Sequence, residues 1–489
     1  MHVDPFQISL DTLIASSSLL GHFLEDRSNI RDSQDQTLLN WLQSESTVQL
    51  SKWEQRPYFC IAPFDILVSE SNGEKQFHLL EMNGTGIGGL TNLSFHAVQA
   101  VLLGLTQMAQ NFRAPDTLLL VASSGKEWDE APRANRLIHE KMLYLEALRQ
   151  GFQVNWGSAS VLGLPQIIQD PKTLQSGKPT VVLGYIKDFL CHLQLDKRGC
   201  LYLFGRPVHG AVNDRFCHNI MQRFDHQLDL THFVPMNRSF LAGSDKGIVY
   251  QLLHEYLQKN PHLMLPNGVA FQCAPDRDSL IAVVLDWVAK GCKTVIKPCG
   301  TGLGHGIEFF LSANEPEQEI IARIDASIEQ TKQYYQLPHG AFPYTVCEYV
   351  DSCVITHCEH PLYNHKYELR VVVYRDGINL KAFPSIVKIA SLPAHAPNMD
   401  RLCFINNIST SAHANNRSGT DYMLPLTNRK TLTLLNLRME QLRQLCVFCT
   451  HFMRYVLDVL HEQPHVLGLP GIPISATVLP MSTTTRQAA

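Results

Sequence analysis

A lysine followed by a glycine-rich stretch is the part of this sequence best suited to chemistry. Residues 293–310 read KTVIKPCGTGLGHGIEFF, and Lys297 ends a β-branched run. Four glycines follow: Gly300, Gly302, Gly304 and Gly306. Because glycine has no Cβ, such a backbone can lay its N–H groups against an anion. The pattern predicts a strand, an anion-binding turn and a second strand; the alternative is a glycine-rich hairpin beside an ordinary surface lysine.

The order of these residues excludes the Walker-type phosphate loop. In that loop the lysine comes after the glycines and a helix follows. Here Lys297 precedes the glycines, and Ile307 begins an apolar run typical of a strand.

A second group of polar residues lies in a predicted hairpin near the start of the chain. Residues 59–68 and 76–82 have the composition of strands, and residues 69–73 that of a turn. Antiparallel pairing would bring Asp65 close to Glu81, and Asn83 would share a face with Glu81. Carboxylate and amide oxygens are ligands that suit Mg²⁺. The alternative is that they are solvated acids at strand ends.

The glycine run at residues 84–89 follows the second of these strands, which invites a dinucleotide-binding interpretation. The run does not show G-x-G-x-x-G in the usual register. That interpretation would also leave Glu81 and Asn83 unexplained. An NAD-dependent oxidoreductase is therefore kept only as a less favoured alternative.

Charged residues elsewhere also require partners. Lys246 lies at the predicted start of a helix, where the helix dipole disfavours a cation, so an anion should offset it. Arg370 shares a strand face with Glu368 and is flanked by valines, so it is expected to be half-buried and to have an anionic partner. Arg206 and Arg215 are candidates for an anionic substrate, although a solvated arginine is the commoner case.

Composition excludes several classes of protein. The chain has 489 residues, 45% hydrophobic and 18% charged, with a net charge of −4. This balance argues against nucleic acid or an anionic membrane as a partner. No run of 18 apolar residues predicts a membrane span, and the first residues lack the basic region of a signal peptide. Thirteen scattered cysteines indicate free thiols in a reducing cytoplasm.

The middle of the chain predicts a separate α/β unit with a mostly parallel sheet. A helix at 95–110 leads to a strand at 117–123, and a second helix at 134–150 is expected to stop at Gly151, before a strand at 152–156. Further strands are expected at 180–186 and 200–204. Near the end of the chain, one long helix is predicted over 430–461.

Together these motifs resemble the ATP-grasp carboxylate–amine ligases of the bacterial glutathione synthetase type. The resemblance covers roughly residues 235–465 and 58–92. Its motifs are SDKG, IKPCGTGLGHG, VCEYVD, ELRVVVYRDG and an asparagine-rich loop before a leucine-rich helix. Family members normally end with a hairpin that carries an aspartate and then Glu-x-Asn. Here no acid follows the last helix, and that hairpin stands near the N-terminus, which indicates circular permutation. Eukaryotic glutathione synthetase is similar in this respect.

The resemblance implies an α/β (α+β) ATP-grasp fold with a pre-ATP-grasp α/β domain, circularly permuted. The expected parts are N-terminal helices plus the Mg-binding hairpin (1–94), a substrate domain (95–232), a subdomain with the phosphate flap (233–352), a C-terminal subdomain (353–475) and a disordered tail (476–489).

The resemblance also implies roles for individual residues. Arg370 and Lys297 would be catalytic, and Asp65, Glu81 and Asn83 would hold two Mg²⁺ ions. The expected ATP contacts are Lys246, Lys297, Gly300, Gly302, Gly304, Gly306, Glu348, Tyr349, Val350 and Asp351, the last at the ribose. Weaker candidates for substrate or phosphate contacts are Thr85, Gly86, Gly88, Glu368, Lys388, Asn406 and Asn407.

The implied reaction joins a carboxylate to an amine of an amino acid or peptide through an acyl phosphate. ATP is consumed and ADP and phosphate are released. The oligomeric state is left open by the sequence; a homodimer is one option, because dimers are frequent in the resembled family. The alternative within the same fold is an ATP-binding protein or kinase that forms no amide bond.

Overall fold

A computed structural model describes most of the chain between residues 40 and 462. The described residues are 40–50, 59–84, 95–123, 135–174, 177–212, 214–224, 227–229, 231–237, 239, 243–262, 266–302, 304–335, 337, 340–395, 401–404 and 422–462. The helices predicted before residue 40 and the expected tail at 476–489 lie outside this part of the chain. Strands and helices are numbered below in chain order.

A six-stranded antiparallel sheet combines elements from both ends of the sequence. Its strands are β1 (Val48–Gln49), β2 (Ile61–Ser71), β3 (Glu74–Met82), β16 (His365–Asp376), β17 (Asn379–Pro393) and β18 (Met423–Pro425). Their order is β1–β17–β16–β2–β3, with β18 also paired to β17. The N-terminal hairpin β2–β3 therefore extends the sheet formed by the hairpin β16–β17, almost 300 residues later.

The turn between β2 and β3 is shorter than predicted. Only Asn72 and Gly73 lie between the strands, with φ of 53° and 77°. Asn-Gly suits a two-residue hairpin turn because both positions need positive φ. Strand β2 consequently extends into the predicted 69–73 turn, and β3 begins two residues before its predicted start at residue 76.

The middle of the chain forms a five-stranded parallel sheet, which confirms the predicted mostly parallel arrangement. Its strands are β4 (Leu118–Ser123), β5 (Ser160–Gly163), β6 (Thr180–Tyr185), β10 (Gly210–Val212) and β11 (Val234–Pro235), in the order β11–β10–β4–β6–β5. The accompanying helices are α1 (Phe95–Gln110), α2 (Asn135–Trp156), α3 (Leu164–Gln169), α4 (Ile186–His192) and α5 (Asp214–Arg223). A small antiparallel sheet contains β7 (Leu193–Leu195), β8 (Leu201–Leu203) and β9 (Arg206–Pro207).

The prediction that Gly151 ends a helix before a strand at 152–156 is wrong. Helix α2 runs through Gly151 to Trp156. A Cβ at Gly151 would lie 2.3 Å from the Thr106 carbonyl of α1. The glycine therefore permits close packing of two helices, and its tertiary contact outweighs its tendency to stop a helix.

The glycine-rich segment lies in a four-stranded antiparallel sheet. Its strands, in order across the sheet, are β12 (Phe271–Ala274), β15 (Tyr344–Glu348), β13 (Thr294–Pro298) and β14 (Glu308–Phe310). Helices α7 (Arg277–Ala289) and α8 (Glu317–Tyr335) share a hydrophobic core with them. The pairing of β13 with β14 confirms the predicted strand, turn and strand.

Three further helices complete the fold around the antiparallel sheets. They are α6 (Lys246–Lys259), α9 (Arg429–Leu434) and α10 (Met439–Glu462). The single long helix predicted at 430–461 is thus two helices, and Asn436 between them has φ of 49°. Aromatic rings join α6 and α10, with Tyr256 centred 5.6 Å from Phe452. None of the helices in the described residues is long and apolar enough to cross a bilayer.

Candidate active site

Helix α6 begins with a buried cap that places Lys246 next to the N-terminal hairpin. The Asp245 carboxylate caps the helix, accepting from the Gly247 N–H at 2.8 Å and also from Ile248 N–H. Burial raises the pKa of Asp245 to about 6. Lys246 Nζ lies 3.8 Å from Glu81 Oε2. Glu81 is thus the anion that offsets the lysine at this helix start.

The three oxygen-bearing residues of the hairpin meet as predicted. Asp65 and Glu81 are direct partners across β2 and β3. Asn83 Nδ2 lies 3.1 Å from Asp65 Oδ2 and 3.0 Å from Glu81 Oε1. The Asn83 amide therefore occupies the point where oxygens of two carboxylates converge.

Asp65 is the anionic partner that Arg370 was predicted to have. Arg370 Nε and Nη2 each donate at 2.6 Å, to Asp65 Oδ1 and Oδ2 respectively. The Asp65 side chain is 0% exposed, and that of Arg370 is 7% exposed. Burial by itself would raise the pKa of Asp65, but the charges of Arg370 and Lys388 outweigh it and hold that pKa well below its usual range. The pair is a charge-assisted, bidentate contact in the interior.

Lys388 extends this cluster to Glu368. The two residues are partners across β16 and β17. Lys388 Nζ donates to Asp65 Oδ2 at 3.0 Å and also contacts Glu368 Oε1. Burial raises the pKa of Glu368 to about 7, although the nearby Lys388 charge opposes that shift. The sheet therefore buries two carboxylates against two cations on one face.

The hairpin offers few carboxylates to a hard cation. No group of three or more Asp, Glu, His or Cys residues in the described part of the chain could hold a metal ion. Asp65 is already held by two cations, whereas the Glu81 side chain is 25% exposed. Rotation of the Asn83 amide by half a turn would replace its nitrogen with an oxygen at the point between the carboxylates. Glu81 and Asn83 would then present the oxygen donors that suit Mg²⁺, with Asp65 beside them held by Arg370 and Lys388.

Lys297 ends β13 as a buried cation. The residue is 6% exposed, and its Nζ donates to the Tyr250 hydroxyl at 2.6 Å. The ion pairs among the described residues include Lys246, Lys388 and Arg370 but not Lys297. Because a buried charge is costly without a counter-ion, this lysine is suited to an anionic ligand.

The glycine turn after Lys297 lies against α8. Gly302 N–H donates to the Tyr335 hydroxyl at 2.9 Å, and Gly306 N–H donates to Gln330 Oε1 at 3.0 Å. Gly300 N–H donates to the Ser244 carbonyl at 2.9 Å. These N–H groups are expected to contact phosphates, but in this conformation they bind the protein. Contact of the Gly302 and Gly306 N–H groups with a ligand would require the turn to leave α8.

The segment predicted to face adenine and ribose is held by Lys366. Lys366 Nζ donates to the Tyr349 hydroxyl at 2.9 Å and to Asp351 Oδ1 at 2.5 Å. The Asp351 side chain is still 72% exposed and so remains accessible to a hydroxyl donor. The side chain of Glu348 accepts from the Ala270 N–H at 3.1 Å. Val350 packs against the same small core as Tyr349.

Arg206 does not face a substrate cleft. Its guanidinium donates to the carbonyls of Leu174 at 2.6 Å, and of Asp116 and Lys178 at 2.9 Å each. It therefore ties together loops at one edge of the parallel sheet, and its candidacy as a substrate residue is wrong. Side-chain contacts of Arg215 lie outside the described part of the chain.

Five of the predicted substrate residues lie outside the described residues: Thr85, Gly86, Gly88, Asn406 and Asn407. The dinucleotide interpretation of residues 84–89 is disfavoured by the strand before them. That strand, β3, pairs antiparallel with β2 at a sheet edge, whereas a dinucleotide fold places its glycine loop after a parallel strand.

Sequence reasoning missed several residues that contact the site: Tyr250, Gln330, Tyr335 and Lys366. Lys366 lies two residues before the ELRVVVYRDG motif, and this position is its only local signal. Each of the other three residues bonds to a partner more than twenty positions away in the sequence, so no short spacing indicates them.

Comparisons with known proteins add likenesses of low identity. No family model and no curated protein matches the chain. A structure described as a gamma-glutamylcysteine synthetase from Methylobacillus flagellatus is 10% identical with a TM-score of 0.43, covering 88% of this chain and 93% of that one. A glutathione synthetase-like effector from Globodera pallida is 11% identical with a TM-score of 0.32, covering 79% and 86%. D-alanyl-alanine synthetase A from Vibrio cholerae is 12% identical with a TM-score of 0.33, covering 73% and 82%. Likenesses at this level do not decide the function of this chain.

Proposed function

We propose that this protein is an ATP-dependent carboxylate–amine ligase of the ATP-grasp type. The observation that carries the proposal is Lys297, a buried cation without a carboxylate partner among the described residues, next to a glycine turn. The neighbouring hairpin supplies Glu81 and Asn83, and the start of helix α6 supplies Lys246. A triphosphate bound here would neutralise the lysine, and Mg²⁺ at Glu81 and Asn83 would offset its remaining charge.

In the proposed reaction a substrate carboxylate oxygen attacks the γ-phosphorus of ATP, and the bond to the bridging oxygen breaks to release ADP. The amine nitrogen then attacks the acyl carbon, loses a proton and displaces phosphate, which leaves an amide. Lys246 and Lys297 would hold the α- and β-phosphates. Arg370 and Lys388 would stabilise the transferring phosphoryl group, because fixed charges supply most of such catalysis. Two Mg²⁺ ions are proposed, as in the resembled family.

The sheet order supports circular permutation of the ATP-grasp fold. The hairpin with Asp65, Glu81 and Asn83 comes from the N-terminal part of the chain, but it pairs with β16 beside Arg370. Because sheet order does not depend on where chain ends lie, a family hairpin could move from one end to the other. The domain boundaries at 94, 232, 352 and 475 are proposed with it, whereas a homodimer is proposed only from its frequency in the resembled family.

The proposed ligase can be tested by ADP release. The wild-type protein would be incubated with ATP, Mg²⁺ and pools of amino acids and small peptides. We expect repeated ADP release and free phosphate only when both an acid and an amine are present, together with a new amide by mass spectrometry. A stable phosphorylated product without an amine would favour a kinase of the same fold. No ADP with any pool would contradict the proposal.

Glu81→Gln should lower this turnover by roughly 10²-fold and raise the Mg²⁺ concentration needed for half-maximal rate. The substitution removes the charge while keeping the shape of a side chain that is 25% exposed. Initial rates over a Mg²⁺ titration measure both effects. Glu74→Gln, on the same strand but exposed, is the matched control and should behave as wild type. Full activity of Glu81→Gln would show that this hairpin is not the metal site.

Tyr335→Phe should tighten binding of Mg²⁺–ADP by up to about tenfold. The Tyr335 hydroxyl accepts from Gly302 N–H at 2.9 Å and donates to the Gly302 carbonyl at 2.8 Å. Its removal would weaken the docking of the turn on α8 and release N–H groups for phosphate. Calorimetry measures the affinity, and Tyr363→Phe, at an exposed position, is the control. Unchanged or weaker binding would show that docking does not compete with the ligand.

A further inference from the structure

The hydroxyl of Tyr250 connects the two halves of the candidate site. It accepts from Lys297 Nζ at 2.6 Å and donates to the carbonyl of Leu80 at 2.8 Å. Lys297 belongs to the sheet that carries the glycine turn, whereas Leu80 directly precedes Glu81 on β3. One buried oxygen therefore joins the proposed phosphate lysine to the proposed metal hairpin.

Helix α6 holds this hydroxyl in a defined place. Tyr250 lies four residues after Lys246, so both project from the same face of the helix toward β3. A Cβ at Gly247 would lie 2.3 Å from Cys273 Sγ, so the first turn of α6 packs directly on β12. The Tyr250 ring also lies 5.5 Å from that of Phe271. The helix cannot shift without disturbing these contacts.

The chemical nature of the Tyr250 hydroxyl, as the partner of Lys297, matters as much as its position. Burial raises the pKa of Tyr250 well above its ordinary value, so the hydroxyl stays protonated and neutral. It can therefore orient the ammonium of Lys297 without cancelling its charge. A carboxylate at the same place would neutralise the lysine and compete with an anionic ligand.

We propose that Tyr250 is a positioning residue that directs the ammonium of Lys297 at the phosphates of the nucleotide, in register with the Glu81 hairpin. This inference rests on the proposed function, because it assigns the ligand of Lys297 to a polyphosphate. Tyr250 acts through Lys297 and touches no reacting atom.

The test is Tyr250→Phe, which removes the hydroxyl and keeps the ring. We expect Mg²⁺–ADP to bind about tenfold more weakly, as loss of one buried hydrogen bond to a charged group allows, while adenosine binds within about twofold of wild type. In a Lys297→Met background the same substitution should change ADP affinity by less than about twofold, because its effect passes through the lysine. Calorimetry gives both affinities, adenosine by competition with ADP. Tyr256→Phe makes the same chemical change six residues further along α6, and it should leave ADP affinity unchanged.

Each other outcome overturns the inference in a distinguishable way. If the wild type binds no Mg²⁺–ADP, the proposed function fails and this inference with it. If the wild type binds ADP and Tyr250→Phe binds it equally well, only the inference fails. If Tyr250→Phe loses adenosine binding or cooperative unfolding while Tyr256→Phe keeps both, the hydroxyl maintains the fold and does not specifically position the lysine.

Discussion

Asp65→Asn is expected to lower the free energy of unfolding by about 3–5 kcal/mol. Asp65 is 0% exposed and compensates two buried cations, Arg370 at 2.6 Å and Lys388 at 3.0 Å. Asparagine keeps the shape but removes the charge, so both cations lose their main counter-ion inside the sheet. Urea unfolding followed by circular dichroism, without nucleotide or Mg²⁺, measures the loss. Because no ligand is present, the result separates this structural role from a role in metal binding.

The matched control for this prediction is Asp376→Asn on the adjoining strand. Asp376 pairs with Lys381 at 2.7 Å, but both side chains are about one-third exposed. Solvent screens such a pair, and its loss should cost no more than about 1 kcal/mol. Similar small losses from both substitutions would show that the buried cluster stabilises the sheet no more than a surface pair does.

The burial of Asp65 also changes how mutations at Arg370 should be interpreted. Arg370→Ala would leave the Asp65 carboxylate buried with one cation fewer, so lost activity could reflect lost folding. Glu81 has an exposed fraction of 25%, and its removal leaves that ion pair in place. Substitutions at Glu81 are therefore the cleaner test of metal binding.

The local sequence pattern predicted the strands that carry the site, because a strand is indicated by the types of residues within a few positions of one another. The Asn72–Gly73 turn sets β2 against β3, and that pairing brings Asp65 beside Glu81. Burial of Arg370 among valines predicted an anionic partner. It did not identify Asp65, because the two residues lie 305 positions apart and meet only through sheet pairing.

Where a prediction was wrong, or where none was made, the structure depends on a contact between residues that are far apart in the sequence. Gly151 has the local signature of a helix end, but the approach of α1 lets α2 continue through it. The Tyr250 hydroxyl bonds to Leu80, 170 positions away, and nothing in the residues around either one indicates the contact. The same holds for the hydrogen bond from Gly302 N–H to the Tyr335 hydroxyl. That N–H group was expected to contact a phosphate, but it donates to the protein.

Lys297→Met should lower amine-dependent ADP release by roughly 10³-fold. The lysine is 6% exposed and meets a neutral hydroxyl, so its charge is available to a ligand in a site from which water is largely excluded. A fixed charge in such a place stabilises the developing charge of phosphoryl transfer more than a solvated one does. Methionine has a similar length and no charge, and removing a buried cation that has no carboxylate partner in the described residues should leave the fold at least as stable. Initial rates and thermal unfolding of the same preparation measure the two effects together.

Lys290→Met provides the control for Lys297→Met, because Lys290 is an exposed residue paired with Asp286 at 2.6 Å on the same subdomain. It should keep wild-type turnover. Stability that is retained in Lys297→Met together with lost turnover would mean that the buried charge serves a ligand, in agreement with its lack of a carboxylate partner among the described residues. Retained turnover would contradict the phosphate role of Lys297. A large loss of stability would instead mean that another group of the protein compensates the charge of Lys297, which would contradict its availability to a ligand.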